Sequence, residues 1–319
     1  MPDTATAAVP PFVSEKFRNP DVTAKGEERA FVALTRLRTV WINTGSLCNL
    51  ACDNCYIESS PTNDRLVYLS AADVSKYLDE IARESMPVEE IGFTGGEPFM
   101  NRELPAMLAD CLGRGFRVLV LTNAMKPMQH RKADLLALKA RYGPAFRLRV
   151  SLDHYRADKH ESLRGARSWA PAVEGLRWLA ANGFAIDVAG RTLWDESEQA
   201  LRAGFADLFR AEGIAVDAAD PAELVLFPEM DAANDVPEIT VQCWQILGVS
   251  PDSMMCASSR MIVKRKGADA PVVLPCTLLP YDPQFELGRW LAESHRSVKL
   301  NHPFCAQFCV LGGASCSAR

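Results

Sequence analysis

Three cysteines near the start of the chain have a spacing that suits metal chemistry. Cys48, Cys52 and Cys55 are separated by three and then two residues, so one short loop can present three thiolates to a metal cluster. A [4Fe–4S] cluster held entirely by protein needs four thiolates, and no fourth cysteine lies nearby in the sequence. We therefore predict an iron–sulfur cluster with one iron left free for catalysis. Two alternatives stay open on spacing alone: a zinc site completed by a distant residue, and buried, unreactive thiols.

The elements that must position this triad follow a repeated strand–helix pattern. Short apolar runs predict six strands, at 39–43, 91–94, 116–122, 148–152, 185–188 and 224–227. Amphipathic segments between them predict five helices, at 71–83, 102–114, 129–141, 170–182 and 196–212. Strands that alternate with helices indicate an α/β fold with a parallel sheet. Because six strands are too few for a closed eight-stranded barrel, we predict a partial (β/α)6 TIM-like barrel.

The same pattern divides the chain into three parts. Residues 1–38 contain mixed charges and adjacent prolines, and they predict an extended lead-in with little core. Residues 39–235 hold the barrel. After that the repetition stops, and 236–319 predict a small Cys-rich C-terminal domain that depends on something besides apolar area for its stability.

Polar and glycine residues follow the predicted strands at the edge where α/β proteins place their active sites. The cysteine triad comes directly after the first strand, and Gly95-Gly96-Glu97 comes directly after Thr94 at the end of the second. Paired glycines let the backbone approach a ligand closely, and a glutamate can accept hydrogen bonds from an ammonium group. The triad and this turn are therefore expected to meet in one site.

The triad and the turn together resemble the signature of the radical S-adenosylmethionine (SAM) enzymes. Cys48-x3-Cys52-x2-Cys55 matches that family's cysteine motif, and Gly95-Gly96-Glu97 matches its GGE motif. The resemblance implies that the three thiolates bind three irons of a [4Fe–4S] cluster, while the amino and carboxylate groups of SAM chelate the fourth. It implies that the GGE turn binds the amino group of SAM. Reductive cleavage of SAM would then yield a 5′-deoxyadenosyl radical that abstracts a substrate hydrogen.

Further strand ends continue the resemblance across about residues 39–230. It implies SAM contacts from Thr122 and Asn123, ribose contacts from Ser151 and Asp153, and a carboxylate contact from Arg164. Adenine contacts are implied for Ala189-Gly190 and Phe227-Pro228 at the ends of the fifth and sixth strands. One position departs from the family pattern, because the residue before the last cysteine is Asn54 instead of an aromatic. The aromatic follows the cysteine, at Tyr56, which becomes a candidate cofactor contact.

The C-terminal cysteines resemble the SPASM and twitch extensions of radical SAM enzymes, which bind auxiliary clusters. The members of this group are Cys256, Cys276, Cys305, Cys309 and Cys316. Their number falls short of the seven cysteines of SPASM, so a single twitch-like [4Fe–4S] cluster is expected. Four thiolates complete a cluster; we favour Cys256, Cys276, Cys305 and Cys316, with Cys309 as the alternative. A structural zinc ribbon stays open as a different reading.

Composition limits the partners and the compartment of the chain. It has 319 residues, 48% of them hydrophobic, and a net charge of −5, which argues against nucleic-acid binding. With no signal-peptide pattern and no apolar run of ~20 residues, we expect a cytoplasmic protein without membrane contact. Disulfides are rare there, so metal binding is the leading explanation for its ten cysteines. Cys111 and Cys243 are interpreted as packing residues.

The leading functional hypothesis is therefore a radical SAM enzyme with an auxiliary cluster. Its expected partners are a peptide or small-molecule substrate and a reductant of the flavodoxin or ferredoxin type. No residue is assigned a catalytic role, because the histidines are scattered. The alternative function is a non-catalytic iron–sulfur protein for electron transfer or redox sensing. The GGE turn argues against that alternative, since an electron carrier needs no SAM pocket.

Overall fold

The computed structural model describes residues 15–314 and is built around one eight-stranded sheet. The strands of the described residues are β1 Phe31–Val32, β2 Thr39–Asn43, β3 Glu90–Thr94, β4 Arg117–Thr122, β5 Phe146–Ser151, β6 Ala185–Arg191, β7 Leu224–Phe227, β8 Ser259–Val263, β9 Val272–Leu274 and β10 Val298–Lys299. Their order in the large sheet is β7-β6-β5-β4-β3-β2-β8-β9. Strands β2 to β7 pair in parallel with their sequence neighbours. The predicted α/β fold with a partial barrel is confirmed.

Helices connect the parallel strands in this part of the chain. The described helices are α1 Ala71–Arg83, α2 Leu104–Gly113, α3 Lys126–Gln129, α4 Lys132–Tyr142, α5 Ala157–Arg164, α6 Trp169–Ala181, α7 Glu198–Glu212 and α8 Cys243–Leu247. At the start of α1, Ser70 and Asp73 form a reciprocal capping box. The structure adds α5, which the sequence did not predict because this short segment is strongly charged and lacks an apolar stripe. It also divides the helix predicted at 129–141 into α3 and α4.

The two faces of the central strands pack into different cores. Val40 and Ile42 of β2 belong to the core that lies between the sheet and the helices. Trp41 points to the opposite face, since side chains alternate along a strand, and packs into a second core. That second core includes Leu119 of β4 and Met261 of β8. The concave face of the partial barrel is therefore covered by the C-terminal part of the chain.

The C-terminal part also extends the barrel's own sheet. Strand β8 pairs in parallel with β2, in a register that aligns Trp41 with Met261, and β9 adds to β8 in antiparallel orientation. The sheet thus has two strands more than the six predicted. The cysteine-rich segment is consequently built onto the first barrel strand.

The lead-in contributes more to the core than its sequence suggested. Ala30 and Val32 are fully buried, Leu37 is 2% exposed, and β1 pairs in antiparallel orientation with β10. The expectation of little core in residues 1–38 is therefore wrong for this stretch, which ties the two ends of the fold together. Within residues 15–314, every helix is too short or too polar to cross a lipid bilayer.

Candidate active site

The loops at the carboxyl edge of the parallel strands enclose one cleft of about 1120 Å³. Nearly all site residues predicted for the barrel line this cleft. They are Cys48, Cys52, Cys55, Tyr56, Gly95, Gly96, Thr122, Asn123, Ser151, Asp153 and Arg164, together with Ala189, Gly190, Phe227 and Pro228. Residues far apart in sequence meet here because parallel strands end at a common edge.

The three thiols of the triad share this cleft. Cys48 is 6% exposed, and Cys52 and Cys55 are half-buried. Burial raises the pKa of the Cys48 thiol to about 12, although the amide of Leu50 opposes this effect. Burial also raises the pKa of Cys52, against the charge of Arg164. Three thiolates at this position therefore need compensating positive charge, which bound iron would supply. The residues present thus fit an iron–sulfur cluster.

The glycine turn packs directly onto the cysteine loop. The Gly96 amide donates to the Gly45 carbonyl at 2.9 Å, and the Glu97 amide donates to the Leu47 carbonyl at 3.1 Å. A Cβ on Gly96 would collide with the Leu47 carbonyl, and one on Gly95, whose φ is +131°, would lie 2.6 Å from the Gly45 carbonyl. The structure thus explains both glycines by the contact between two loops, where the sequence had suggested close approach to a ligand.

Glu97 lies behind the wall of the cleft and is 1% exposed. Its carboxylate accepts hydrogen bonds from the Thr122 hydroxyl at 2.9 Å, the Asn123 amide at 2.8 Å and the Phe99 amide at 3.2 Å. Burial raises the pKa of Glu97 to about 7, while these three hydrogen bonds favour the carboxylate. Glu97 therefore connects the turn after β3 to the end of β4. The interaction with a ligand's amino group implied by the resemblance stays a prediction.

Asp153 and Arg164 form a buried ion pair that also lines the cleft. Arg164 Nε and Nη2 donate to the two carboxylate oxygens of Asp153 at 2.6 and 3.0 Å. Burial opposes ionisation of Asp153, but the Arg164 guanidinium holds its pKa below the ordinary value. The sequence predicted separate ligand contacts for these two residues. The structure brings them together as one bidentate unit at the cleft surface.

A polar network that the sequence reading missed joins the cysteine loop to the last two barrel strands. The Asn54 amide donates to a carboxylate oxygen of Glu229 at 2.6 Å, and Arg191 pairs with the other oxygen. The Arg191 amide donates to the Asp153 carbonyl at 2.9 Å. Asn54 has a left-handed backbone with φ of 54°, which asparagine tolerates better than an aromatic residue does. This backbone accounts for the departure from the family pattern at Asn54.

A second group of cysteines surrounds a separate cavity in the C-terminal part. Cys256, Cys276, Cys305 and Cys309 line it, together with apolar side chains. Burial raises the pKa of Cys256 to about 11 and that of Cys305 well above its ordinary value. Cys309 thus shares a cavity with three of the four cysteines favoured from the sequence. The fourth, Cys316, lies outside the described residues.

The cleft and this cavity are close neighbours, because Leu278 lines both of them. Among residues 15–314, no three His, Cys, Asp or Glu side chains are arranged to hold a single metal ion. Cys111 lies within α2 and is fully buried in the core, as expected. Cys243 is the half-buried first residue of α8 and accepts from the Thr240 amide at 3.3 Å.

Comparison with known proteins identifies one family and several relatives. The family model described as the radical SAM superfamily matches residues 42–193. The chain is 30% identical over 160 residues to the antilisterial bacteriocin subtilosin biosynthesis protein AlbA of Bacillus subtilis, covering 49% of this chain and 34% of AlbA. It is 31% identical over 151 residues to the GTP 3′,8-cyclase of Rhodococcus opacus, covering 46% of this chain and 41% of that enzyme. The matches thus span between about a third and two fifths of these relatives' lengths.

A solved structure shares the fold over a longer stretch. The crystal structure of Streptococcus suis SuiB bound to the precursor peptide SuiA superimposes with a TM-score of 0.60 at 13% identity. The match covers 83% of this chain and 66% of that one. SuiB bound to S-adenosylmethionine gives a TM-score of 0.58. This likeness concerns the arrangement of the strands and helices.

Proposed function

We propose that the chain is a radical SAM enzyme that uses a [4Fe–4S] cluster and SAM and modifies a peptide substrate by hydrogen abstraction. The match of residues 42–193 to the radical SAM superfamily model and the similarity to AlbA support this proposal. The observation that carries the proposal is the single cleft in which the cysteine triad faces the polar ends of β4 and β5. A non-catalytic electron carrier would need no cleft of this kind.

Cys48, Cys52 and Cys55 are proposed to hold the cluster and to leave one iron for SAM. When both are bound, the cluster supplies one electron and SAM supplies the 5′-deoxyadenosyl radical. Glu97 keeps Thr122 and Asn123 beside the cysteine loop through two hydrogen bonds. The geometry of the cofactor pocket thus depends on a carboxylate that is itself buried.

The lining of the cleft combines charged groups with apolar side chains. The Asp153–Arg164 pair offers hydrogen-bonding groups to the polar parts of SAM. Phe227, Met230 and Phe308 line the same cleft and reduce the access of water to it. Exclusion of water protects a reactive radical from side reactions. The chain's own residues therefore bind, orient and shield, while the cofactors carry the chemistry.

The C-terminal cavity is proposed to hold an auxiliary [4Fe–4S] cluster with Cys256, Cys276, Cys305 and Cys309 as its ligands. Three facts support this: all four cysteines line one cavity, its other lining residues are apolar, and four thiolates complete a cluster. Leu278 separates this cavity from the cleft, so the two clusters would be close enough to exchange electrons. With four protein ligands, the auxiliary cluster would serve in removing an electron from the substrate.

The choice between Cys309 and Cys316 is open to a direct test. In a background where Cys48, Cys52 and Cys55 are alanine, anaerobic reconstitution should leave about four irons per chain. Adding Cys309→Ser should remove most of that iron, whereas adding Cys316→Ser should leave it unchanged. Iron and sulfide analysis with electron paramagnetic resonance measures both variants. The reverse pattern would assign the fourth ligand to Cys316 and contradict the proposal.

The preference for a peptide substrate rests on the relatives. AlbA is named for the biosynthesis of a bacteriocin, and the fold neighbour SuiB was solved with its precursor peptide. The similarity to the GTP 3′,8-cyclase, which is named for a small molecule, makes a small-molecule substrate the alternative. A cytoplasmic flavodoxin or ferredoxin is proposed to provide the electron.

The decisive experiment is anaerobic incubation of the reconstituted protein with SAM and dithionite. We expect 5′-deoxyadenosine and methionine to form, measured by liquid chromatography with mass spectrometry. Omitting dithionite is the control, because cleavage of SAM requires the reduced cluster. A reconstituted protein that contains reducible clusters and releases no 5′-deoxyadenosine would instead be an electron carrier or redox sensor.

A further inference from the structure

A groove on the outer side of the cysteine loop has a volume of about 1120 Å³ and a distinct charge. Four basic residues line this basic groove, namely Arg102, Lys126, His130 and Arg131, and none of the described residues that line it is acidic. Arg102, Lys126 and His130 are exposed. Because the chain has a net charge of −5, this groove is a local reversal of the molecule's overall charge.

The two strongest charges of the basic groove are available to a partner. Arg131 lies 3.6 Å from Asp134 and is partly neutralised. Arg102 and Lys126 have no carboxylate within 4.0 Å among residues 15–314. Phe99, Met100 and Met125 also line the groove and give it an apolar floor. A partly apolar centre with a charged rim is typical of a protein-docking surface.

The basic groove and the cleft lie on opposite sides of the same loops. Three loops contribute to both surfaces, and in each of the following pairs the first residue lines the cleft and the second lines the groove. The pairs are Cys48 and Asn49 after β2, Gly96 and Phe99 after β3, and Asn123 and Met125 after β4. The Asn123 side chain donates to the Asn49 side chain at 2.9 Å, and the Met125 amide donates to the Asn123 side chain at 3.0 Å. Only a thin, hydrogen-bonded wall therefore separates the groove from the triad.

This arrangement bears on how an electron reaches the triad. SAM and the substrate would occupy the cleft, so a protein donor needs a different approach. Asn49 lines the groove and is the covalent neighbour of Cys48, and the two Cα atoms of adjacent residues are only about 3.8 Å apart. A donor seated in the groove would approach the cluster from the side away from SAM.

We propose that the basic groove is the docking surface for an acidic electron-carrier protein of the flavodoxin class. This inference rests on the proposed function, which requires one electron per cleaved SAM. The electron leaves the anionic flavin hydroquinone, which becomes the neutral semiquinone, and it reduces the cluster by one unit of charge without moving a proton. Arg102 and Lys126 orient the acidic face of the carrier, and the apolar floor fills the contact between them.

The test is charge reversal of the two unpaired cations. The variant Arg102→Glu/Lys126→Glu and the wild type are titrated with oxidised, acidic flavodoxin in an isothermal calorimeter at low and at high salt. We expect wild-type binding to weaken with salt and the variant to bind about tenfold or more weakly at low salt. Formation of 5′-deoxyadenosine driven by reduced flavodoxin should fall by a similar factor, while the rate driven by dithionite should stay unchanged.

A matched control changes the same charge elsewhere. Lys25 and Arg141 are exposed, and Arg141 lies at the far end of α4, about 15 Å along the helix from its start beside the groove. The variant Lys25→Glu/Arg141→Glu should bind flavodoxin as the wild type does. Equal weakening in this control, or unchanged binding in the groove variant, would overturn the proposal.

The remaining outcomes separate this inference from the proposed function. A dithionite-driven rate that falls in the groove variant would mean that the groove serves the substrate or the cleft, and it would overturn the docking proposal. If wild-type protein fails to cleave SAM with dithionite, the proposed function fails. Salt-sensitive flavodoxin binding lost only in the groove variant would still show that the docking surface exists.

Discussion

Replacing Cys48, Cys52 and Cys55 together with alanine should reduce 5′-deoxyadenosine formation to the level of a protein-free control. The three thiols line the cleft, and without them no cluster is held in the cleft to chelate SAM. Iron content should fall from about eight to about four per chain, since each [4Fe–4S] cluster needs its own ligands. Iron analysis and mass spectrometry measure the two effects on the same preparation.

The matched control for this variant is Cys111→Ala. Cys111 lies within α2, fully buried in the core and outside both cysteine sites, so its loss should leave iron content and SAM cleavage unchanged. Circular dichroism tests whether the triple variant folds. SAM cleavage that persists in a folded triple variant would remove the triad from the mechanism.

Replacing Arg29 with methionine should lower the free energy of unfolding by about 3–5 kcal/mol, because it leaves a buried carboxylate without its partner. The Arg29 side chain is fully buried and pairs at 2.5 Å with Glu238, whose side chain is 6% exposed. Arg29 also donates to the backbone carbonyls of Asn19 and Val22. Anaerobic urea titration followed by tryptophan fluorescence measures the loss.

Two further variants identify the cause of that loss. Arg18→Met removes an exposed ion pair with Glu15 and should cost less than about 1 kcal/mol. Adding Glu238→Gln to Arg29→Met should recover part of the stability, since it removes the buried charge, and the amide oxygen can still accept one of the two hydrogen bonds that the Phe17 and Ala24 amides donate to Glu238. If Arg29→Met costs no more than Arg18→Met, the lead-in is not held by this pair.

Much of the barrel could be predicted because its signals are local. The strand from 39 to 43 is a continuous apolar run, and Ser70 with Asp73 begins α1 through interactions within one turn. The α5 helix was missed because its charged sequence carries no apolar stripe and it is held by packing against α6. Strand β8 was missed for a related reason, since its pairing partner β2 is over 200 residues away, and β9 joins the sheet through β8.

The candidate site likewise has features that local signals predict and features that depend on contacts between distant segments. The spacing of Cys48, Cys52 and Cys55 and the glycine turn after β3 predicted one site, and all of them meet in the cleft except Glu97, which lies behind its wall. Which polar groups pair with each other depends on side chains that converge from different loops. The Asp153–Arg164 pair and the link from Asn54 to Glu229 are of this kind.

The sequence by itself determined the triad, the order of strands and helices, and the edge of the sheet at which chemistry is expected, because these follow from residue type, periodicity and the geometry of parallel strands. Only the tertiary structure decided that both glycines are required by the contact with the cysteine loop, and that Cys309 joins Cys256, Cys276 and Cys305 around one cavity. It alone placed a basic groove behind Cys48. Each of these depends on distances between segments remote in sequence, which residue type and spacing do not encode.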